Sequence, residues 1–239
     1  MSGTFIDIPS NDGQTFAAYL ATPQYGSGPG IVLLQEIFGV NRTLRDLADE
    51  YAAAGFIVIV PDLFWRQRPG VQLNPSNPSD RESAMQLLKG LEESLAVEDA
   101  TMALQYLRAR SDCTARVAAV GYCLGGRLAF VMAARTEIDA SVAYYGIGLD
   151  KLLGEASAVH CPLLLHIAAN DRLCPAEAQA AILRGIAPYA TRITAYVYPG
   201  ANHAFARKGG PDFDASAAQL AGERTLRFLA GLSSPITPR

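Results

Sequence analysis

The chain has 239 residues, half of them hydrophobic and 18% charged, with a net charge of −3 at neutral pH. That composition supplies ample apolar surface for a core and too little charge density for a disordered chain. The acidic balance offers no basic stripe to neutralise phosphates, so nucleic acid is excluded as a partner, and no apolar run approaches the ~18 residues that mark a membrane span. Met1 leads at once into the strand-like Thr4-Phe5-Ile6-Asp7-Ile8, without the pattern of a signal peptide. The four cysteines, Cys113, Cys123, Cys161 and Cys174, lack the paired spacing of a zinc site. Reduced thiols and a cytoplasmic location are expected.

In chain order, the turn-prone Asn11-Asp12-Gly13 separates two β-rich runs, 5–9 and 16–21, which read as an antiparallel hairpin. Short, almost wholly apolar runs follow at 31–34, 56–60, 117–120, 141–145, 163–168 and 193–198. Each predicts a strand buried on both faces, as parallel sheets require. Helices are expected between them at 43–54, 81–110 with a break near Gly90, 127–135, 176–186 and 215–229. Alternation of this kind after a leading hairpin predicts a single α/β domain over 1–239, with a mostly parallel central sheet and helices on both faces. The long irregular stretch 66–79, rich in Pro and Asn, has the length of a functional cover, and Ser79-Asp80-Arg81-Glu82 has the form of a capping box at its end.

Ligands of such sheets bind beyond the carboxyl ends of the strands, so the residues that follow each strand carry the functional reading. After 117–120 comes Gly121-Tyr122-Cys123-Leu124-Gly125-Gly126, a nucleophile elbow of the α/β-hydrolase type with cysteine as the nucleophile. The helix that follows favours thiolate over thiol through its N-terminal partial charge, and the Leu124 N–H is placed to act as an oxyanion donor. The bland alternative is an inert thiol in a glycine-rich turn. Asp171 and His203 follow the next two strands in the order that hydrolases use: acid, then histidine. His203 would take the thiol proton and Asp171 would fix its tautomer, although a turn or capping role for Asp171 and a simple loop role for His203 stay open. Glu36 ends the strand 31–34 beside Ile37, whose N–H is the second oxyanion candidate. A Glu36 carboxylate facing Cys123 would hold the resting thiol protonated; a solvated strand end is the alternative. His166, inside an apolar run, reads as a hydrogen-bonded core residue, and His160 as part of a connection. The histidine spacing fits no catalytic zinc site, and no nucleotide-binding glycine motif is present.

Together, Gln35-Glu36-Ile37-Phe38-Gly39-Val40-Asn41, Pro61-Asp62-Leu63, the cysteine elbow, Tyr144-Tyr145-Gly146 and His203-Ala204-Phe205-Ala206-Arg207 resemble the dienelactone hydrolases, or carboxymethylenebutenolidases. The resemblance runs from about Thr4 to Glu223-Arg224-Thr225. It implies opening of a dienelactone ring to maleylacetate in the breakdown of aromatics, with no metal or organic cofactor. By the same resemblance Cys123, Asp171 and His203 form the triad, Glu36 gates the thiol, Arg81 and Arg207 bind the substrate carboxylate, and Tyr145 borders the pocket. The sequence departs from the family at Met85 and Leu88, where relatives tend to carry aromatic pocket residues; these share a helix face with Arg81. The implied partner is a small anionic lactone or ester, and the expected state is a monomer or weak homo-oligomer. A related cysteine esterase or thioesterase is the runner-up. A non-catalytic receptor on the same scaffold and a peptidase are the remaining readings; the full triad opposes the first, and the lack of an accessory domain opposes the second.

Overall fold

Apolar residues alternate between two helical layers along each central strand, and this alternation organises the whole fold. In the computed structural model, which describes residues 3–24 and 26–233, the strands are β1 (Thr4–Pro9), β2 (Thr15–Ala21), β3 (Gly28–Leu34), β4 (Ile57–Pro61), β5 (Cys113–Tyr122), β6 (Ala140–Tyr144), β7 (Leu163–Ala168) and β8 (Ile193–Tyr198). They form one eight-stranded sheet in the order β1-β2-β4-β3-β5-β6-β7-β8. From β4 to β8 all pairings are parallel; β2 pairs antiparallel with both β1 and β4, so the expected hairpin is present and β2 is the single reversed strand.

The helices are α1 (Arg42–Ala53), α2 (Pro78–Lys89), α3 (Glu93–Arg108), α4 (Leu124–Arg135), α5 (Ala176–Ile186) and α6 (Ala215–Leu229). On β3, Val32 and Leu34 join the core under α3 and α4, while Ile31 and Leu33 join the core under α1 and α6. Each such fully buried aliphatic side chain contributes roughly 1.5–3 kcal/mol. The predicted two-faced burial holds for β3, β4, β6 and β7 but not for β8, where only Ile193 and Tyr198 are buried. β8 is an edge strand of the sheet, paired on one side only, with β7.

The break near Gly90 is present, with Gly90 as the C-cap of α2. The expected capping box is not. Asn77 caps α2, its side chain accepting from the Ser79 N–H at 3.0 Å, and Pro78 takes the first helical position. Proline lacks the N–H that a first-turn residue cannot use and has its φ already set, so Asn77-Pro78 starts the helix before Ser79 can. Similarly, Asn41 caps α1 by accepting from Leu44 N at 3.1 Å. The 66–79 stretch is strapped to the segment after β3: Gly39 bridges to Gln72, and Leu73 N–H donates to Phe38 O at 2.9 Å. Among the described residues no helix is long and apolar enough to cross a membrane.

Candidate active site

α4 begins at Leu124, directly after β5, earlier than the sequence pattern predicts, because its first turn is built from glycines pressed against the sheet. A Cβ on Gly121 would meet Gly125 O at 1.9 Å, and one on Gly125 would meet Leu34 O at 2.2 Å. Only glycine lets strand and helix come this close. The turn leaves Cys123 at φ 55 and ψ −111, buried, with its N–H donating to Tyr144 O at 3.0 Å. Its own carbonyl accepts the first helical bond, from Arg127 N at 3.1 Å. The Leu124 N–H, at the first position of the helix, has no acceptor within α4.

The loops after β7 and β8 bring the acid and the histidine to this turn. His203 Nδ1 donates to Asp171 Oδ2 at 2.7 Å, and Asp171 Oδ1 accepts from Leu173 N at 2.8 Å. Asp171 therefore fills the turn role and the orienting role at once. Its hold on Nδ1 leaves Nε2 as the ring nitrogen not engaged by the carboxylate. That atom is buried and has no hydrogen-bond partner among the described residues. Burial pushes the His203 pKa down, but the hydrogen bond to Asp171 and the proximity of Cys123 outweigh it and carry the pKa up to about 10.

That shift makes a prediction about stability. A histidine whose folded pKa lies above its ordinary value stabilises the fold fully below about pH 6.5, and the contribution is lost as pH rises through about 10. The melting temperature of the wild type should therefore fall more steeply between neutral pH and pH 10 than that of His203→Gln. Parallel pH profiles from thermal unfolding would show that the imidazolium is not held by the fold.

Among the described residues, the non-glycine positions with left-handed backbone are Cys123, Tyr145 (φ 37) and Ala204 (φ 64), and all belong to this cluster. Each costs of order 1–3 kcal/mol, and such strain gathers where a site over-determines its geometry. Tyr145 is fixed by donation from its N–H to His166 O at 2.8 Å, and its ring lies 5.1 Å from that of His203. His166 is the core residue expected: its ring nitrogens meet Tyr198 Oη at 2.7 Å and Thr225 Oγ1 at 2.9 Å, and burial pushes its pKa down to about 3. His160 is exposed and takes no part.

Glu36 is neither solvated nor bare. Arg207 grips it with two bonds, Nε to Oε2 at 2.6 Å and Nη2 to Oε1 at 2.8 Å, and the pair is largely buried. Burial lowers the Arg207 pKa, and the Glu36 carboxylate more than restores it. The Arg207 guanidinium also lies 5.1 Å from the centre of the Phe38 ring. A carboxylate neutralised in this way opposes thiolate formation far less than a lone one.

The remaining expected residues lie on α2. Arg81 is exposed on α2 and has no side-chain partner among the described residues; Met85 is 56% exposed, and Leu88 is half-buried against the core beside α3. Sequence reasoning missed the partnership of Glu36 with Arg207, the Phe38 platform and the strained Ala204.

A family model described as the dienelactone hydrolase family matches residues 16–233. A protein of Azospirillum brasilense, provisionally named carboxymethylenebutenolidase, is 45% identical over 230 residues, covering 94% of this chain and 97% of its own. Carboxymethylenebutenolidase 1 of Cupriavidus pinatubonensis is 39% identical over 230 residues, covering 96% of this chain and 97% of its own. Among solved structures, a Klebsiella pneumoniae protein provisionally described as a dienelactone hydrolase superposes with a TM-score of 0.83 at 25% identity, covering 95% of this chain and 98% of that one.

Proposed function

The chain belongs to the dienelactone hydrolase family, and we propose that it opens a small carboxylate-bearing lactone, dienelactone to maleylacetate, through an acyl-enzyme on Cys123. The observation that carries the mechanism is the buried, unpartnered His203 Nε2, oriented by Asp171 beside the elbow cysteine. His203 takes the Cys123 thiol proton, becoming imidazolium, as Sγ attacks the lactone carbonyl and the Leu124 and Ile37 N–H groups receive the developing oxyanion. The ring C–O bond breaks, and the departing oxygen takes its proton from the His203 imidazolium. His203 then removes a proton from water, which attacks the thioester; the new carboxylate leaves and the thiol is regenerated. Every proton and electron pair in this sequence comes from the triad, water or the substrate, so the reading needs no metal or organic cofactor. The reading places the protein in the cytoplasm. The reading includes a monomer or weak homo-oligomer and no nucleic-acid or membrane partner.

Recognition of the substrate carboxylate is assigned to Arg81, whose guanidinium has no side-chain partner among the described residues, and to Arg207, whose Nη1 is not used by Glu36; both can donate charge-assisted hydrogen bonds. Arg81→Ala should cost on the order of 2 kcal/mol in kcat/KM for cis- or trans-dienelactone, and little for a neutral ester. Arg207→Ala also unmasks the Glu36 charge, so it is paired with Glu36→Gln, and the same selective loss is expected in the double variant. Steady-state kinetics on both dienelactones and simple esters decide the matter: equal loss on neutral and anionic substrates reduces the arginines to structural residues. A related cysteine esterase or thioesterase is the second reading. It is supported by the exposed Met85 and aliphatic Leu88 on α2, and the same panel separates it from the first.

A further inference from the structure

Beside the catalytic cluster, a pocket of about 190 Å³ opens between α1 and the segment 206–208. Its walls are Phe38, Leu44, Leu47, Tyr122 and Tyr145, with Glu36, Glu50, Arg207 and Lys208 among the charged residues at its border. Those four charges cancel in pairs: Arg207 holds Glu36, and Lys208 Nζ reaches Glu50 Oε1 at 2.5 Å. Asp46, at the rim, is engaged by Arg42. The interior thus offers a guest apolar surface and no unpaired charge, the reverse of what an anionic group needs. An apolar cavity of ~150 Å³ takes benzene, so this one has room for a ring or short chain of similar size.

We propose that this pocket is the acyl-side compartment of the site, admitting a neutral apolar acyl group and giving the protein activity on uncharged aryl or short-chain esters. The inference rests on the reading of Cys123 as the acylated nucleophile. Tyr122 immediately precedes Cys123, and Tyr145 packs against the His203 ring, so the pocket shares two walls with the catalytic cluster. Cys123 and His203 themselves do not line it. A leaving oxygen must stay at His203 Nε2 to be protonated, so the part of the substrate directed into the pocket is the part that remains on sulfur. The exposed Lys208–Glu50 pair stands where the pocket meets a second groove, which runs past Tyr51, Phe213 and Leu226 along α6. That pair sets the length limit.

The test is the acyl-group profile of kcat/KM on p-nitrophenyl acetate, butyrate, benzoate and octanoate. Leu47 is half-buried on α1. Leu47→Trp should fill the compartment and lower the benzoate-to-acetate ratio by at least about tenfold relative to wild type. Leu47→Ala, which keeps a good helix former and only removes volume, should shift the preference toward bulkier acyl groups. Lys208→Ala should raise the octanoate-to-butyrate ratio several-fold. Ratios that stay at the wild-type value in all three variants of a working enzyme overturn the compartment alone. No ester hydrolysis by the wild type likewise overturns the compartment, and undiminished ester hydrolysis by Cys123→Ala overturns the acyl-enzyme reading as well.

Discussion

Cys123→Ala is expected to abolish turnover, a loss of at least ~10⁴-fold, because no other group in the cluster can carry the acyl intermediate. The fold should survive. Position 123 keeps its left-handed backbone through the glycines around it, and alanine is no more strained at φ 55 than cysteine. The variant should therefore match the wild-type circular dichroism spectrum and unfold at a similar temperature. Mass spectrometry during turnover of a slow ester should find the acyl adduct on Cys123 and not on Cys113, Cys161 or Cys174. The contrast has a physical basis for two of these: burial pushes the Cys161 thiol up to about 12 and the Cys174 thiol up to about 11, so both stay protonated and unreactive. An adduct on any cysteine other than Cys123, or turnover that persists in Cys123→Ala, would place the chemistry elsewhere.

What could be read from the chain follows from where local chemistry decides structure. β7, β8, α5 and α6 begin and end where the sequence predicts, because strong apolar runs or helical faces meet clear stops such as Pro162 and Pro175. The start of α2 shifted because two local signals competed and Asn77-Pro78 outcompeted Ser79. α4 started early because its glycines, which weaken a helix in isolation, are required by contact with the β3 carbonyls, a tertiary constraint that composition does not reveal. The exposure of β8 depends on strand order and not on its own residues. The candidate triad was legible because the topology brings the ends of β5, β7 and β8 to one edge, so chain order alone narrows the partners of Cys123. The Glu36–Arg207 pair joins residues 171 positions apart and left no local pattern. Tyr145 and Ala204 adopt positive φ without glycine, so nothing in their side chains announced the strain.

The expected result for the acid and the base is a pair of large losses that do not multiply. Asp171 reaches the chemistry only through His203 Nδ1, at 2.7 Å, and its other oxygen is spent on the Leu173 N–H. Removing His203 deletes the proton carrier outright, and kcat should fall by at least roughly 10²-fold. Removing Asp171 leaves the imidazole in place but frees its tautomer and withdraws the carboxylate that helps hold its pKa near 10, so a loss of at least roughly 10² is expected there too. Once His203 is gone, Asp171 has nothing left to orient. The Asp171→Ala/His203→Ala double variant should therefore be no slower than His203→Ala alone, within a few-fold, although independent action would multiply the two losses to roughly 10⁴. Asp171→Asn separates orientation from charge: an amide accepts from Nδ1 as well as a carboxylate does, but it can also donate to that nitrogen and stabilise the wrong tautomer, and it cannot balance the imidazolium. Its kcat should sit near that of Asp171→Ala, not near wild type. Fully multiplicative losses in the double variant, or an Asp171→Asn enzyme with wild-type kcat, would mean that Asp171 serves the turn after β7 and that His203 is oriented by something else.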